Sequence, residues 1–284
     1  MAYDFKYEHF NSIYDFERAL NTRKVNDCFG SRPSSCGQDF SFTQTESYEA
    51  ADELLKNGWN AEVENIEREL QKFSRTIQVK RNRQIKSVAG YAPCVANAIR
   101  GVPKSMFATK TVERKEKKRS IHIILNNTAS ADTKSETLMK SGLTILKLAM
   151  VLDRMGVRTK IDVIPKMAEI NGQVHGCTVG IKDYRQPFNL SKIAYPLAHV
   201  SFFRRHGFRF YESLEEYKYK KSSRYGSSAI YWGKDLKNAY FKFAGFLKDD
   251  VVYIDLNDVK NADFDYVKLA ENKEISLYGG INGK

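Results

Sequence analysis

The chain has 284 residues, 42% hydrophobic and 28% charged, with a net charge of +12 at neutral pH. That length can bury a sizeable core, no apolar run approaches the roughly 18 to 20 residues that span a bilayer, and the N-terminal "MAYDFKYEHFNSIYDFERAL" lacks the basic-then-apolar order of a secretory signal. Cys28, Cys36, Cys94 and Cys177 form no CxxC pair and no repeated spacing, so reduced thiols in a cytoplasm-like compartment are expected.

The charge is segregated along the chain. Residues 1–70 hold 7 basic and 14 acidic residues, whereas residues 71–120 hold 14 basic and 2 acidic. The first 74 residues read as an acidic helical region. "IYDFERAL" is a short amphipathic helix, and "SYEAADELLKNGW" is a second, with Ser47 as N-cap, Glu49 in its first turn and Gly58 as its stop. The polar, glycine-containing "CFGSRPSSCGQDFSFTQT" is a loop between them. "AEVENIERELQKF" is a further helix with Val63, Ile66, Leu70 and Phe73 on one side.

Residues 75–120 read as a basic, linker-like segment. Alternation in Thr76, Ile77, Gln78 and Val79 suggests a strand, Gly90, Pro93, Gly101 and Pro103 break the middle into turns, and "ERKEKKR" closes it.

Residues 121–284 read as an α/β domain. "IHIIL" is a buried strand and "TKSETLMKSGLTILKLAMVLDRMG" a long helix, with Thr133 and Glu136 as a capping box and Gly156 as its stop. Its polar stripe, through Lys140, Thr144, Lys147 and Arg154, is narrow, so the helix is covered on most sides. "TKIDVIP" is a second buried strand, completing a parallel, right-handed βαβ unit. "GQVHGCTVGIKD" is a third, joined by a connection short enough to run antiparallel. "NLSKIAYPLAHVSFFRRHG" is a helix bent at Pro196 and stopped by Gly207. A helix at "GKDLKNAYFKFAGFLK", a strand at "VVYIDLND" and a helix at "ADFDYVKLAENKE" complete the pattern. The expected fold is a helix-flanked sheet, mostly parallel with one antiparallel strand, plus an N-terminal helical extension.

This order resembles the von Willebrand factor A domain, whose first strand ends in a metal-binding Asp-x-Ser-x-Ser pattern. The pattern falls here on Asn126, Thr128 and Ser130. The resemblance implies a magnesium-type site, since a hard cation takes hydroxyl and carboxylate oxygens at a strand end. Asn126 replaces the charged ligand, and Asp132, Asp255 and Asp258 are the acids that would have to compensate. The favoured reading is a turn in which Asn126, Asn127 and Thr128 hydrogen-bond the backbone, with no cofactor. "SVAGYAPCVANAIRGVPKSM", "NNTASADTKSETLMKSG" and "LSKIAYPLAHVSFFRR" are similar to segments of uncharacterised tailed-bacteriophage proteins. That similarity implies a phage origin and a location in the host cytoplasm or the virion.

The basic segment, including Lys80, Arg81, Arg83, Lys86, Lys115, Lys117, Lys118 and Arg119, is the candidate surface for a phosphate backbone. Competing readings are an acidic protein partner and neutralisation by the acidic first 70 residues. In "SFFRRHGFRFYE", Arg204, Arg205 and Arg209 lie among aromatic residues, as in single-strand binders. Core packing is favoured there, with Phe208 and Phe210 alternating as in a strand. His122 and His175 read as satisfied sheet residues, and no HExxH spacing, phosphate loop or nucleophile-base pairing is present. The function expected is non-enzymatic binding of a macromolecule, foremost nucleic acid. The alternatives are a virion or assembly protein that binds a phage or host protein, and a metal-dependent hydrolase or nuclease.

Overall fold

The computed structural model describes residues 4–25, 40–61, 63–71, 80–113, 120–126, 128–130, 132–170, 173–215, 251–275 and 277. In chain order the elements are β1 (Asp4–Phe10), α1 (Ile13–Thr22), α2 (Phe40–Thr43), α3 (Tyr48–Asn57), α4 (Val63–Gln71), β2 (Lys80–Ser87), β3 (Ala92–Pro93), α5 (Val95–Ile99) and β4 (Met106–Glu113). There follow β5 (Ser120–Asn126), α6 (Ser135–Arg154), β6 (Arg158–Ile164), β7 (Met167–Ile170), β8 (Gln173–Lys182) and α7 (Leu190–Ala198). A π-helical turn (Phe202–His206) then leads into α8 (Gly207–Glu212), and β9 (Val251–Asp255), α9 (Leu256–Asn261) and α10 (Tyr266–Asn272) come last.

The main sheet runs β1-β8-β6-β5-β9, with β7 paired to β8. β5 lies parallel to both β6 and β9, and β8 runs antiparallel to β6, as the sequence predicts. Alternation along β5 divides its side chains between two clusters. Ile123 and Leu125 join the large core beneath α6 and α7, while Ile124 packs with Ile164, Met167, Val174 and Tyr253.

The start of the chain departs from expectation. Asp4–Phe10 form not a helix but a strand, parallel to β8 from Asp4↔Gln173 to Phe10↔Val179. The reason is tertiary: β8 has a free edge on the side away from β6, and "DFKYEHF" is rich in the aromatic residues that suit a strand. Phe10 then meets Phe16 of α1 and Phe210 of α8, with ring centroids 5.2 and 6.2 Å apart. Phe16, Leu55 and Ile66 of the N-terminal helices, and Trp59 between α3 and α4, belong to the same core as Leu146 and Leu197.

Several helix ends are set by local signals. Ser47 Oγ accepts from Ala50 N at 3.0 Å, and α3 stops at Gly58 with φ of 89°. The capping box expected at Thr133 is absent, because α6 begins at Ser135 with Lys134 at its N-cap. Ser135 Oγ instead donates to the carbonyls of Ser41 and Phe42, at 2.7 and 3.1 Å. Gly207 does not stop a helix either, since its φ of −62° keeps the chain helical from the π turn into α8. Phe208 and Phe210 therefore belong to a helix rather than a strand. The predicted strand at residues 76–79 and helix at "GKDLKNAYFKFAGFLK" lie outside the described residues.

Arg204 and Arg205 sit inside the protein, contrary to a nucleic-acid role. Arg204 donates to the carbonyls of Phe42 (2.7 Å) and Thr133 and to Ser135 Oγ (2.9 Å), with its guanidinium 3.9 Å from the centre of the Phe42 ring. Arg205 donates to Thr45 Oγ1 and Thr45 O, both at 2.7 Å, and to Thr43 Oγ1 at 3.1 Å. Together they pin residues 42–45 to the start of α6. Their sequence neighbours are core phenylalanines on a helical turn, which carries them inward. Arg209 is half-buried against the Tyr48 ring, 5.2 Å from its centre.

Two measurements test this packing. A Cβ at Gly142 would lie 2.2 Å from the carbonyl oxygen of Leu197, so α6 and α7 cross at backbone contact. Gly142→Val should lower the unfolding free energy in urea by about 1–3 kcal/mol or more. Lys166 is buried, its ammonium 4.3 Å from the centre of the Phe208 ring, and burial lowers its pKa from 10.5 to about 8. The folded protein holds that proton less tightly than the unfolded chain, so the penalty is full below about pH 8 and fades as pH rises towards 10.5. Lys166→Met should raise stability at pH 7 and flatten the rise in stability across that window.

Candidate nucleic-acid interface

The described part of the basic segment folds as a three-stranded antiparallel sheet, β2-β4-β3, with α5 between β3 and β4. Residues 80–113 carry seven basic residues and one acid, Glu113. β2 supplies Lys80, Arg81, Arg83 and Lys86, and its register with β4 sets Arg83 opposite Lys110. Like charges facing each other across a ladder are destabilising unless an anion screens them. Lys86, Arg100, Lys104 and Lys110 are exposed, and none forms an ion pair among the described residues.

Side-chain amides organise this surface. Asn97 of α5 accepts from Lys86 Nζ at 3.3 Å and donates to the carbonyl of Lys104 at 3.1 Å, drawing the two lysine segments together. Tyr91 is held twice: its amide donates to Phe107 O at 2.8 Å, and its hydroxyl accepts from Gln84 Nε2 at 2.7 Å. The backbone there is so close that a Cβ on Gly90 would lie 2.0 Å from Phe107 O. Glycine is therefore required beside Tyr91, whose side chain remains 65% exposed. Bases stack on open aromatic rings of this kind where cations nearby neutralise the phosphates.

Tyr91 and Gln84 were not among the residues singled out from sequence. The available signal was a tyrosine between Gly90 and Pro93 in an otherwise basic stretch. Nor was the apolar surface beside it expected: Val88, Val95 and Ile99 are exposed, Ile99 by 81%. The spacing of Val95 and Ile99 on a helix of five residues was the cue.

The remaining candidates are dispersed. Lys115, Lys117, Lys118 and Arg119 lie outside the described residues, and Arg204, Arg205 and Arg209 belong to the main body. Asn126 ends β5, and Thr128 and Ser130 follow it. Asn126 Oδ1 accepts from both Thr128 N (3.1 Å) and Thr128 Oγ1 (2.7 Å), and its Nδ2 donates to the Tyr253 hydroxyl at 2.6 Å. Asn126 and Thr128 are buried, and the arrangement is that of a turn closed by an asparagine side chain. Asp255 and Asp258 form the capping box of α9, and Asp258 also pairs with Lys273 at 2.6 Å. No group of three or more His, Cys, Asp or Glu positioned for a metal occurs among the described residues. No helix among them is long and apolar enough to cross a membrane.

No curated protein and no solved structure matches the chain. The sequence profile of a domain of unknown function, DUF7192, does match it, over residues 5–263. That span runs from β1 to the turn after α9, so the basic sheet is an internal part of the family's domain. The chain thus belongs to the DUF7192 family of domains of unknown function.

Proposed function

We propose that the protein is a non-enzymatic, phage-encoded nucleic-acid-binding protein that engages its ligand through the β2-β4-β3 sheet. The observation that carries this reading is Tyr91, anchored at backbone and at its hydroxyl by Gln84 yet open to solvent, on a sheet that also carries exposed Lys86 and Lys110. Stacking on that ring favours single strands, whose bases are free to leave their neighbours. The phage origin, with a place in the host cytoplasm or virion, rests on the three sequence segments that resemble phage proteins. Kinship with von Willebrand A domains, supported by the antiparallel β8 beyond β6, is part of the same proposal. No step of the function is routed through magnesium, because the amide of Asn126 already serves the turn.

Exposed Val95 and Ile99 support a second reading, a virion or assembly role in which an acidic and apolar protein surface docks on α5. The two separate in one set of titrations with labelled single- and double-stranded RNA and DNA across a salt series. The nucleic-acid reading expects affinity that falls with salt. Tyr91→Ala should weaken single-strand binding by about 1–3 kcal/mol. Joint replacement of Lys86, Lys104 and Lys110 by serine should reduce the magnitude of the logarithmic salt slope by about 2. Absence of binding even at low salt would remove the proposal and leave the protein-docking surface.

A further inference from the structure

α5 stands uncovered on the basic sheet. Between residues 84 and 110 only Cys94 is buried, although a small sheet needs a covered face to be stable. Val95 and Ile99 of α5 are four residues apart, hence on one side of the helix, and are 64% and 81% exposed. The end of α5 is closed by Gly101 N donating to Ala98 O at 3.1 Å and Val102 N to Asn97 O at 2.9 Å, with Gly101 at a φ of 65° that favours glycine. Exposed Arg100 follows the helix, and Asn97 ties Lys86 and the Lys104 backbone beside it. α5 is thus an apolar knob flanked by cations and braced before any partner arrives.

A complementary surface lies on α3 of the same chain. Residues 40–71 hold eight acids and two bases, the converse of the seven bases and one acid of residues 80–113. Glu49, Asp52 and Glu53 line a cleft of about 520 Å³, bounded across from them by Asn21 of α1 and Arg209 of α8. Its two cations are already engaged. Lys56 pairs with Asp52 at 2.7 Å and Glu17 at 3.2 Å, and the Arg209 guanidinium lies 5.2 Å from the centre of the Tyr48 ring. Glu49 and Glu53 are exposed, and neither forms an ion pair among the described residues. Tyr48, only 8% exposed, lines the same cleft with a hydroxyl that meets no hydrogen-bond partner. The knob and the acidic helix are exposed in one and the same chain, so neither covers the other.

We propose that α5 of one copy docks on the acidic α3 cleft of a second copy, covering Val95 and Ile99 and setting Arg100 and Lys104 against Glu49 and Glu53. The proposal rests on the protein-docking reading above and names the partner. Charge selects this pairing over α5 against α5, which would bring cations together. Because the two patches differ, each copy in a pair keeps one of them free. The contact therefore runs head to tail into a ring or filament instead of stopping at a symmetric dimer.

Sedimentation velocity of the nuclease-treated full chain, across concentration and salt series, is the experiment, with poly-glutamate titrated in parallel. Species larger than a dimer should grow with concentration and shrink with salt. Val95→Asp with Ile99→Asp, and separately Glu49→Lys with Glu53→Lys, change exposed side chains, so both chains should melt as the parent does. Each pair should weaken association about tenfold or more. Mixed together, the two variants should form a one-to-one complex that grows no further, since each retains the half that the other has lost. The proposal is overturned if the parent stays monomeric, if the Glu49→Lys, Glu53→Lys chain associates as the parent does, or if the mixture fails to pair. Poly-glutamate separates this proposal from the reading beneath it. With a monomeric parent, poly-glutamate binding that Lys86→Ser and Lys104→Ser abolish removes only the second copy as partner, whereas no binding removes the acidic partner as well.

Discussion

The parallel pairing of β1 with β8 is the contact from which most of the architecture follows. β8 is antiparallel to β6, which leaves its other edge open, and seven residues from the start of the chain close that edge. An unpaired edge of this length would be a template for aggregation. Closing it with the N-terminus also fixes where α1 begins, two residues past β1, with Ser12 as its N-cap. Phe10 and Phe16 are thereby carried into the core against Phe202 and Phe210. A cleft lies at the end of this same pairing, lined by His9 and Asn11 on one side and by Gly180 and Lys182 on the other.

A second constraint is the crossing of α6 and α7 at Gly142, which brings the π turn and its arginines over the start of α6. Burying a guanidinium costs several kcal/mol after relaxation. Each charge-assisted hydrogen bond returns about 1.5–3 kcal/mol, so three bonds apiece offset part of the burial of Arg204 and Arg205, and burial still lowers both pKa values. Burial moves the Arg204 pKa down to about 10, so it remains a cation at neutral pH. Removing its acceptors would cost more than removing the arginine, which makes residues 42–45 as important to this corner as the side chains they receive.

Much of this was readable in the sequence where local signals and tertiary demands agree. β5, α6, β6 and β8 carry continuous or alternating apolar runs, and Ser47 and Gly58 bracket α3 as their chemistry dictates. Legibility failed where the partner was far away in sequence. β1 pairs with residues 173–179, and although Phe5 and Tyr7 alternate with Asp4, Lys6 and Glu8, five residues of alternation do not name that distant partner. Thr133 and Glu136 had the spacing of a capping box, but Ser135 was claimed by Ser41 and Phe42, over ninety positions away. At the interface, composition showed that residues 80–113 were basic. Only the hydrogen bonds of Gln84 and Asn97 showed which residues were held in place.

Charge alone did not separate the two basic clusters. "SFFRRHGFRF" holds three arginines in ten residues and "KRNRQIK" four arginines and lysines in seven, yet one faces inward and the other belongs to a sheet with exposed lysines. The difference lies in what surrounds each cation. Arg204 and Arg205 sit between phenylalanines whose burial carries the whole turn into the core, where carbonyls and threonine hydroxyls are waiting. The lysines around β2 and β4 have asparagine, glutamine and threonine neighbours, with little apolar area to gain by turning inward. In the β2–β4 register Glu113 stands opposite Lys80 whereas Lys110 stands opposite Arg83, so acids are few against the seven cations of residues 80–113. Under the proposed function, that excess of cations is the field a polyanion would meet.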